Sequence, residues 1–353
     1  MAGRTASRIL RLSLAWLCAI AIGSITGEVA TRLTGAIDGI SIMPRRLLTG
    51  TDDPLLPYRL RQSVGLISQG VPVRVNRFGL RGAEIVRERG YGARRILVLG
   101  DSVPYGWGLV EADTFPVLLG EELRRMGLDV EVLNAGVPGY NTESAVALLR
   151  QTGLSLAPDV LVLGVSLNDF EATPSLSPLG LLLAGEAGAD DSWLAAHSEF
   201  HFLLRWVAPA LLKQWWQSRT DSEAASKRDE QVGEFLRRQA IAGRRRFYAA
   251  PSGPGWERIR RSLGDLRDLA AGSGLKLAIV VFPEEDQLTS AESELEPQLR
   301  WKALCAQLEL SCLDLWSAFA AAAGRESLFR DLQHPNALGM RVAASATAEF
   351  LTR

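Results

Sequence analysis

Five short runs rich in Val, Ile and Leu, at residues 95–99, 130–133, 159–164, 276–282 and 312–315, punctuate the second two-thirds of the chain. Between and after them lie longer stretches, near 114–126, 142–153, 256–272, 291–308 and 336–351, that read as helices; Leu338, Val342, Ala346 and Phe350 recur on one helical face in the last of them. Strands that alternate with helices pack as a sheet covered on both sides, with right-handed crossovers. The pattern predicts an α/β domain with a doubly wound, flavodoxin-like, five-stranded parallel sheet.

Three segments break this rhythm. The first is uncharged and apolar from Leu12 to Gly27, extended by Ile9, Leu10, Val29 and Ala30, preceded by Arg4, Arg8 and Arg11 and closed by Glu28 and Arg32. It predicts an uncleaved single-pass transmembrane helix over residues 1–33, N-terminus inside and the rest of the chain extracytoplasmic, on the periplasmic side. A signal peptide cleaved near Ser24 is the rival reading. Residues 34–93, rich in Pro, Gly and Arg, predict a linker that ends in an edge strand, where Val71, Val73 and Val75 alternate, and a turn at Asn76 and Gly79.

The third is the excursion between Asp169 and Trp256, a helical insertion of about 170–255 within a domain of 94–353. Its Phe200–Leu212 stretch with Trp215 and Trp216 predicts a helical lid packed on the core, with a membrane-contacting or acyl-binding surface as the competing reading; the polar residues 218–232 predict a mobile, solvated linker. Two charged runs, Arg244-Arg245-Arg246 and Glu284-Glu285-Asp286, are expected to be solvated.

At 353 residues with a net charge of −1, the chain can bury a sizeable core and has no basic excess for a nucleic-acid partner. The three histidines, His197, His201 and His334, come with no HExxH and no CxxC, so no metal or other cofactor is expected. Cys305 and Cys312 are expected to be buried thiols rather than a bridge.

The candidate chemistry sits at the strand ends. Gly100-Asp101-Ser102 ends the first strand, and Asp331-Leu-Gln-His334-Pro335 precedes the last helix. A serine hydroxyl is a weak nucleophile until a base takes its proton, and a histidine oriented by an aspartate is such a base. Asn134-Ala-Gly136 follows the second strand and Asn168-Asp169 the third; the N–H groups of Ser102 and Gly136 and the side-chain amide of Asn168 make a three-donor oxyanion hole.

These four segments, in this order, resemble the SGNH (GDSL-type) hydrolase superfamily, and the N-terminal segment is similar to that of membrane-anchored bacterial-type members. The resemblance spans roughly 94–353 and implies Ser102 as nucleophile, His334 as general base and acid, Asp331 as its orienter, and Ser102, Gly136 and Asn168 as oxyanion donors. Val103 replaces the leucine of the family name. The implied activity is hydrolysis of a carboxylic ester, the substrate an O-acylated glycan or a lipid. An O-acyltransferase or deacetylase acting on an envelope or secreted polysaccharide would use the same residues. Asn76-Arg-Phe-Gly79-Leu80-Arg81-Gly82 is similar to an element preceding the core in anchored relatives, and Arg81 is expected to tie to a carboxylate rather than to hold an anionic substrate group.

Overall fold

The computed structural model describes residues 2–34, 43–86, 92–176, 182–183, 198–202, 204, 222–249, 253–289, 295–324 and 327–353. The chain forms two compact units, Met1–Arg45 with Leu176–Val232, and Arg46–Ser175 with Gly233–Arg353.

The second unit holds a five-stranded parallel sheet of β1 (Arg94–Gly100), β2 (Val130–Gly136), β3 (Val160–Val165), β4 (Lys276–Val281) and β5 (Ser311–Asp314), in the order β5-β4-β3-β1-β2. Each strand lies within a few residues of the run that predicts it, because strands covered on both faces must be apolar almost throughout. Alternate residues of β1 face opposite layers. Ile96 and Val98 join Phe115, Leu119, Ala343 and Ala344 in one buried cluster, while Leu97 meets Leu149 and Gly153 on the other side.

Among the helices are α1 (Ser102–Tyr105), α2 (Phe115–Arg125), α3 (Thr142–Gln151), α4 (Ser222–Ala249), α5 (Pro254–Gly272), α6 (Glu296–Gln307), α7 (Trp316–Ala322) and α8 (Ala337–Thr352), with one further turn of helix at Asp286–Thr289. On one face α2 packs with α8, and on the other α3 packs with α5. Burying each Leu, Ile or Phe in these layers contributes about 1.5–3 kcal/mol.

Within the expected linker, residues 46–86 belong to the sheet unit, and the expected edge strand is there at Val71–Val75. Hairpins Leu48–Gly50/Tyr58–Leu60 and Val64–Ser68/Val71–Val75 belong to the sheet unit, and the Tyr58 hydroxyl donates to Pro138 O (2.8 Å) while Ser144 Oγ donates to Leu55 O (2.7 Å). The expected solvated linker 218–232 is helical from Ser222 onward. Its Glu, Ala, Lys, Arg and Gln content is polar but strongly helix-forming.

In the first unit, a helix runs from Ala2 to Thr34; its Ser13–Leu33 segment, 21 residues containing an 18-residue stretch with a mean hydropathy of 1.5, is long and apolar enough to cross a membrane. Trp16, Ile20 and Ile25 are exposed along it. Glu28 pairs with Arg32 (2.6 Å) and accepts from Ser198 Oγ (2.7 Å) and Phe200 N (3.0 Å), so the short helix Glu199–Phe202 is held at the end of the apolar segment. These described residues of the predicted lid belong with the N-terminal helix rather than with the sheet. His197, Trp206, Trp215 and Trp216 lie outside the described residues.

Candidate active site

Gly100, at the end of β1, stands opposite Gly136 of β2 and Gly164 of β3 in the sheet register. Side chains at these three positions would collide with what lies above them. A Cβ on Gly100 or Gly164 would reach Pro104 Cγ at 2.7 or 2.5 Å, and one on Gly136 would reach Tyr105 N at 2.3 Å. The one-turn helix α1 therefore sits directly on the strand ends, a close approach only glycine allows. Asp101 caps it, with Oδ1 accepting from Val103 N (2.9 Å) and from Ser166 Oγ (3.0 Å). Burial pushes the Asp101 carboxyl up, against these hydrogen bonds. The Ser102 N–H, in the first turn, makes no hydrogen bond among the described residues.

His334 arrives from the other end of the chain. Its loop is closed by Arg330 N to His334 O (2.8 Å) and Asn336 N to Leu328 O (2.9 Å), and Asn336 Oδ1 then caps α8 at Leu338 N and Gly339 N. A side chain at Gly339 would meet Leu328 O at 2.3 Å, so the helix start is pressed onto the loop.

Ser102 Oγ and His334 Nε2 are 2.9 Å apart, although 232 positions separate them in sequence. His334 Nδ1 lies 2.9 Å from both carboxylate oxygens of Asp331. Asp331 Oδ1 also accepts from the N–H groups of Gln333 (3.0 Å) and His334 (2.9 Å). Desolvation works against ionising Asp331, but the bond from His334, its charge when protonated and these two N–H groups outweigh it and hold the carboxyl down at about 2. A carboxylate on Nδ1 favours the tautomer whose proton sits there, which leaves the Nε2 lone pair facing the serine hydroxyl.

Asn168 lies beyond the end of β3, half-buried, and its side-chain amide has no hydrogen bond among the described residues. Its neighbour Asp169 is buried and accepts from Thr142 N and Thr142 Oγ1, both at 2.7 Å, which staples this loop to the start of α3. Burial pushes the Asp169 carboxyl up to about 7 despite those two bonds.

Gly136 does not fit the expected donor role. Its N–H is spent on Asn134 Oδ1 (3.0 Å), and Asn134 Nδ2 in turn donates to Tyr105 O (3.2 Å). The glycine is there for the contact between β2 and α1. Gly139, three residues on, has φ +82 in a turn closed by Tyr140 N to Val137 O (3.2 Å), is exposed, and its N–H makes no hydrogen bond among the described residues. Pro138 followed by a glycine at positive φ is the signature of a type II turn, a signal the sequence carries openly.

Arg81 is buried, but its partners are carbonyls rather than the expected carboxylate. It donates to Tyr105 O (2.9 Å), Gly106 O (2.7 Å) and Leu109 O, and lies over the Tyr105 ring at 4.6 Å. The Asn76–Gly82 element thus fixes the chain just after the serine. Trp107, which sequence reasoning passes over, stacks on His334 with ring centroids 5.9 Å apart and planes at 26°. Arg330 donates to Gly108 O and ties this loop to the histidine loop.

The charged runs are not solvated as expected. Glu284, Asp286 and Arg244 are buried together, while Arg245 and Arg246 are exposed. Cys305 and Cys312 are free thiols. His201 Nδ1 lies 2.9 Å from Ser198 Oγ, and no group of His, Cys, Asp and Glu side chains suited to a metal occurs among the described residues.

An arylesterase from Vibrio mimicus is 32% identical over 77 residues, 22% of this chain, and the matched part spans 38% of that protein's length. Two solved structures cover much of the chain at low identity. A lipase/acylhydrolase from Enterococcus faecalis is 15% identical over 72% of this chain and 94% of its own, with a TM-score of 0.40. An acetyl xylan esterase is 16% identical over 72% of this chain and 97% of its own, with a TM-score of 0.39. The GDSL-like lipase/acylhydrolase family model matches residues 98–342, a span that begins inside β1, takes in Ser102, Asn168, Asp331 and His334 and ends within α8, and the chain belongs to that family.

Proposed function

We propose that this chain is a serine hydrolase of carboxylic esters, tethered to a membrane by its N-terminal helix with the catalytic unit on the extracytoplasmic side. The observation that carries the chemistry is the continuous relay Ser102 Oγ–His334 Nε2 and His334 Nδ1–Asp331, each step 2.9 Å. His334 takes the hydroxyl proton as Ser102 Oγ bonds to the acyl carbon, and the carbonyl π pair moves onto oxygen. As the tetrahedral intermediate collapses, the C–O bond to the alcohol breaks and His334 returns the proton to the leaving oxygen. Water then attacks the acyl-serine by the same route in reverse order, releasing the acid and restoring Ser102.

The oxyanion that forms twice in this cycle needs donors with no prior partner. The Ser102 N–H and the Asn168 amide meet that condition, and Gly139 meets it where Gly136 does not. Asp331, ionised across the working range because its carboxyl is held at about 2, keeps the imidazole oriented and stabilises it when charged. The similarity to an arylesterase makes short-chain aryl esters the first substrates to try.

Arg4, Arg8 and Arg11 before the apolar segment support this side of the membrane, since flanking basic residues favour the cytoplasm. The test of the chemistry is labelling by a fluorophosphonate. The wild-type protein is expected to be labelled and the Ser102→Ala variant not, with the variant still folded; labelling of Ser102→Ala at the wild-type rate would remove the assignment.

A further inference from the structure

Helix α4 lies outside the strand–helix alternation that builds the core, yet the turn from Arg244 to Tyr248 reaches the loops that follow β3 and β4. Arg244 Nη1 donates to Glu284 and to Asp286 Oδ1 (3.0 Å), and its Nη2 to Asp286 Oδ2 (2.5 Å). All three side chains are buried. Arg237, two turns earlier, donates to Glu285 Oε2 at 2.7 Å.

The loop held in this way leads on to the histidine. Glu285 N donates to Leu332 O (2.9 Å), and the Gln333 side chain hydrogen-bonds Glu284. Leu332 and Gln333 are the two residues between Asp331 and His334. At the loop after β3, Phe247 stacks on Phe170 at 4.4 Å and 18°, and Tyr248 meets the same ring edge-on at 6.4 Å. Phe170 is two residues beyond Asn168, and its carbonyl accepts from Arg258 Nη2.

We infer that Arg244 is a positioning residue, and that the turn it anchors braces the Asp331–His334 loop and the Asn168 loop in register with each other. The inference rests on the serine mechanism above and adds a part to it. A buried guanidinium with two carboxylates contributes little stability beyond what apolar side chains of the same volume would give, because desolvation offsets the attraction. What it fixes is place. The forked donors hold Glu284 and Asp286 at set distances, which a greasy contact would not do. Misplacing a catalytic group by about 1 Å costs about 10²-fold in rate.

The test compares Arg244→Met, Arg244→Lys and the neutral triple variant Arg244→Met/Glu284→Gln/Asp286→Asn in the full-length protein. The readouts are kcat and KM for a short-chain aryl ester, the rate of fluorophosphonate labelling, and the thermal midpoint. Arg244→Met is expected to lose about 10- to 100-fold in kcat and in labelling rate with KM within about twofold. Lysine, which keeps the charge without the fork, recovers part of kcat. The triple variant leaves no unpaired buried charge, so it regains the thermal midpoint but not kcat.

A triple variant with wild-type kcat, or an Arg244→Met protein that loses activity only in proportion to its folded fraction, would overturn the inference. An unlabelled wild-type protein would instead count against the serine mechanism itself.

Discussion

Trp107 and His334 stack with their ring centroids 5.9 Å apart and their planes 26° from parallel, while the two nitrogens of the imidazole face Ser102 and Asp331. Trp107 lies five residues after the serine, and its main-chain N–H donates to Ser102 O (3.0 Å). One residue therefore touches both the serine and the histidine of the relay. It limits the tilt of a ring whose hydrogen bonds fix only its in-plane direction.

Replacing Trp107 by Ala removes that support and opens the ring to water. The expected result is a fall in kcat of about 10-fold or more, with Phe recovering most of it because a flat face is what the histidine needs. Steady-state kinetics of both variants on one aryl ester check this. Equal rates for Ala and wild type would mean that the hydrogen bonds alone orient His334.

The oxyanion donors separate by the same logic. With Asn168 as a proposed oxyanion donor, aimed at charge that exists only in the transition state, Asn168→Ala is expected to lower kcat by about 10²- to 10³-fold and leave KM nearly constant. A change confined to KM would show that the amide binds the ground state. Gly136→Ala, by contrast, is expected to be a folding defect, since its Cβ would lie 2.3 Å from Tyr105 N. Circular dichroism distinguishes that outcome from a folded, slow enzyme.

The sheet was legible because β1, β3 and β4 are buried on both faces and leave Ile-Leu-Val-Leu, Val-Leu-Val-Leu and Leu-Ala-Ile-Val-Val runs that few other structures would use. Ser102, His334 and Asp331 were legible for a related reason, as they stand at strand and helix ends where the chain must turn. The turn at Pro138-Gly139 is legible in the sequence, but that the Gly136 N–H is already spent on Asn134 is not, since a row of letters does not show hydrogen bonds. Arg244 and Glu284 look solvated because charged residues usually are, and the pairing that buries them spans 40 positions. Trp107 leaves no pattern at all, only a large ring in a glycine-rich turn.

Asp169 carries a prediction about pH. Burial raises its carboxyl from 3.8 to about 7, so the unfolded chain gives up this proton earlier than the folded one. Its contribution to stability is complete below 3.8 and is lost as pH rises toward 7. Asp331 has the opposite sign. Its carboxyl is lowered to about 2, so the stability it gives is present above 3.8 and is lost as pH falls toward 2. Asp169→Asn keeps an acceptor for Thr142 and removes the titration. The thermal midpoint of the wild type should fall between pH 4 and pH 7 by an amount on the order of 1 kcal/mol or more in stability, and the variant should show a flatter profile over that window. Parallel profiles for the two proteins would show that Asp169 does not titrate there.

Under the proposed tethering, the N-terminal helix decides which esters the protein can reach. Ser13–Leu33 is 21 residues long, and at a rise of about 1.5 Å per residue such a helix matches a hydrocarbon core of about 30 Å. Its apolar side chains, among them Trp16 and Ile25, are exposed, and leaving them in water would cost about 25 cal/mol per Å² of apolar surface. Glu28 and Arg32 pair near its end, where a charge pair suits the polar boundary rather than the bilayer centre. The full-length protein is therefore expected to stay with membranes through a high-salt wash, because salt screens surface charge contacts and does not weaken the burial of an apolar span. A reporter fused after Arg353 should be active only if it works outside the cytoplasm. Deleting residues 1–33 should release a protein that still hydrolyses small esters, since Ser102, Asn168, Asp331 and His334 all lie beyond the deletion. Mature protein that begins near Ser24 and leaves the membrane fraction would show instead that the segment is cleaved, and the hydrolase would then be free on the far side rather than tethered to it.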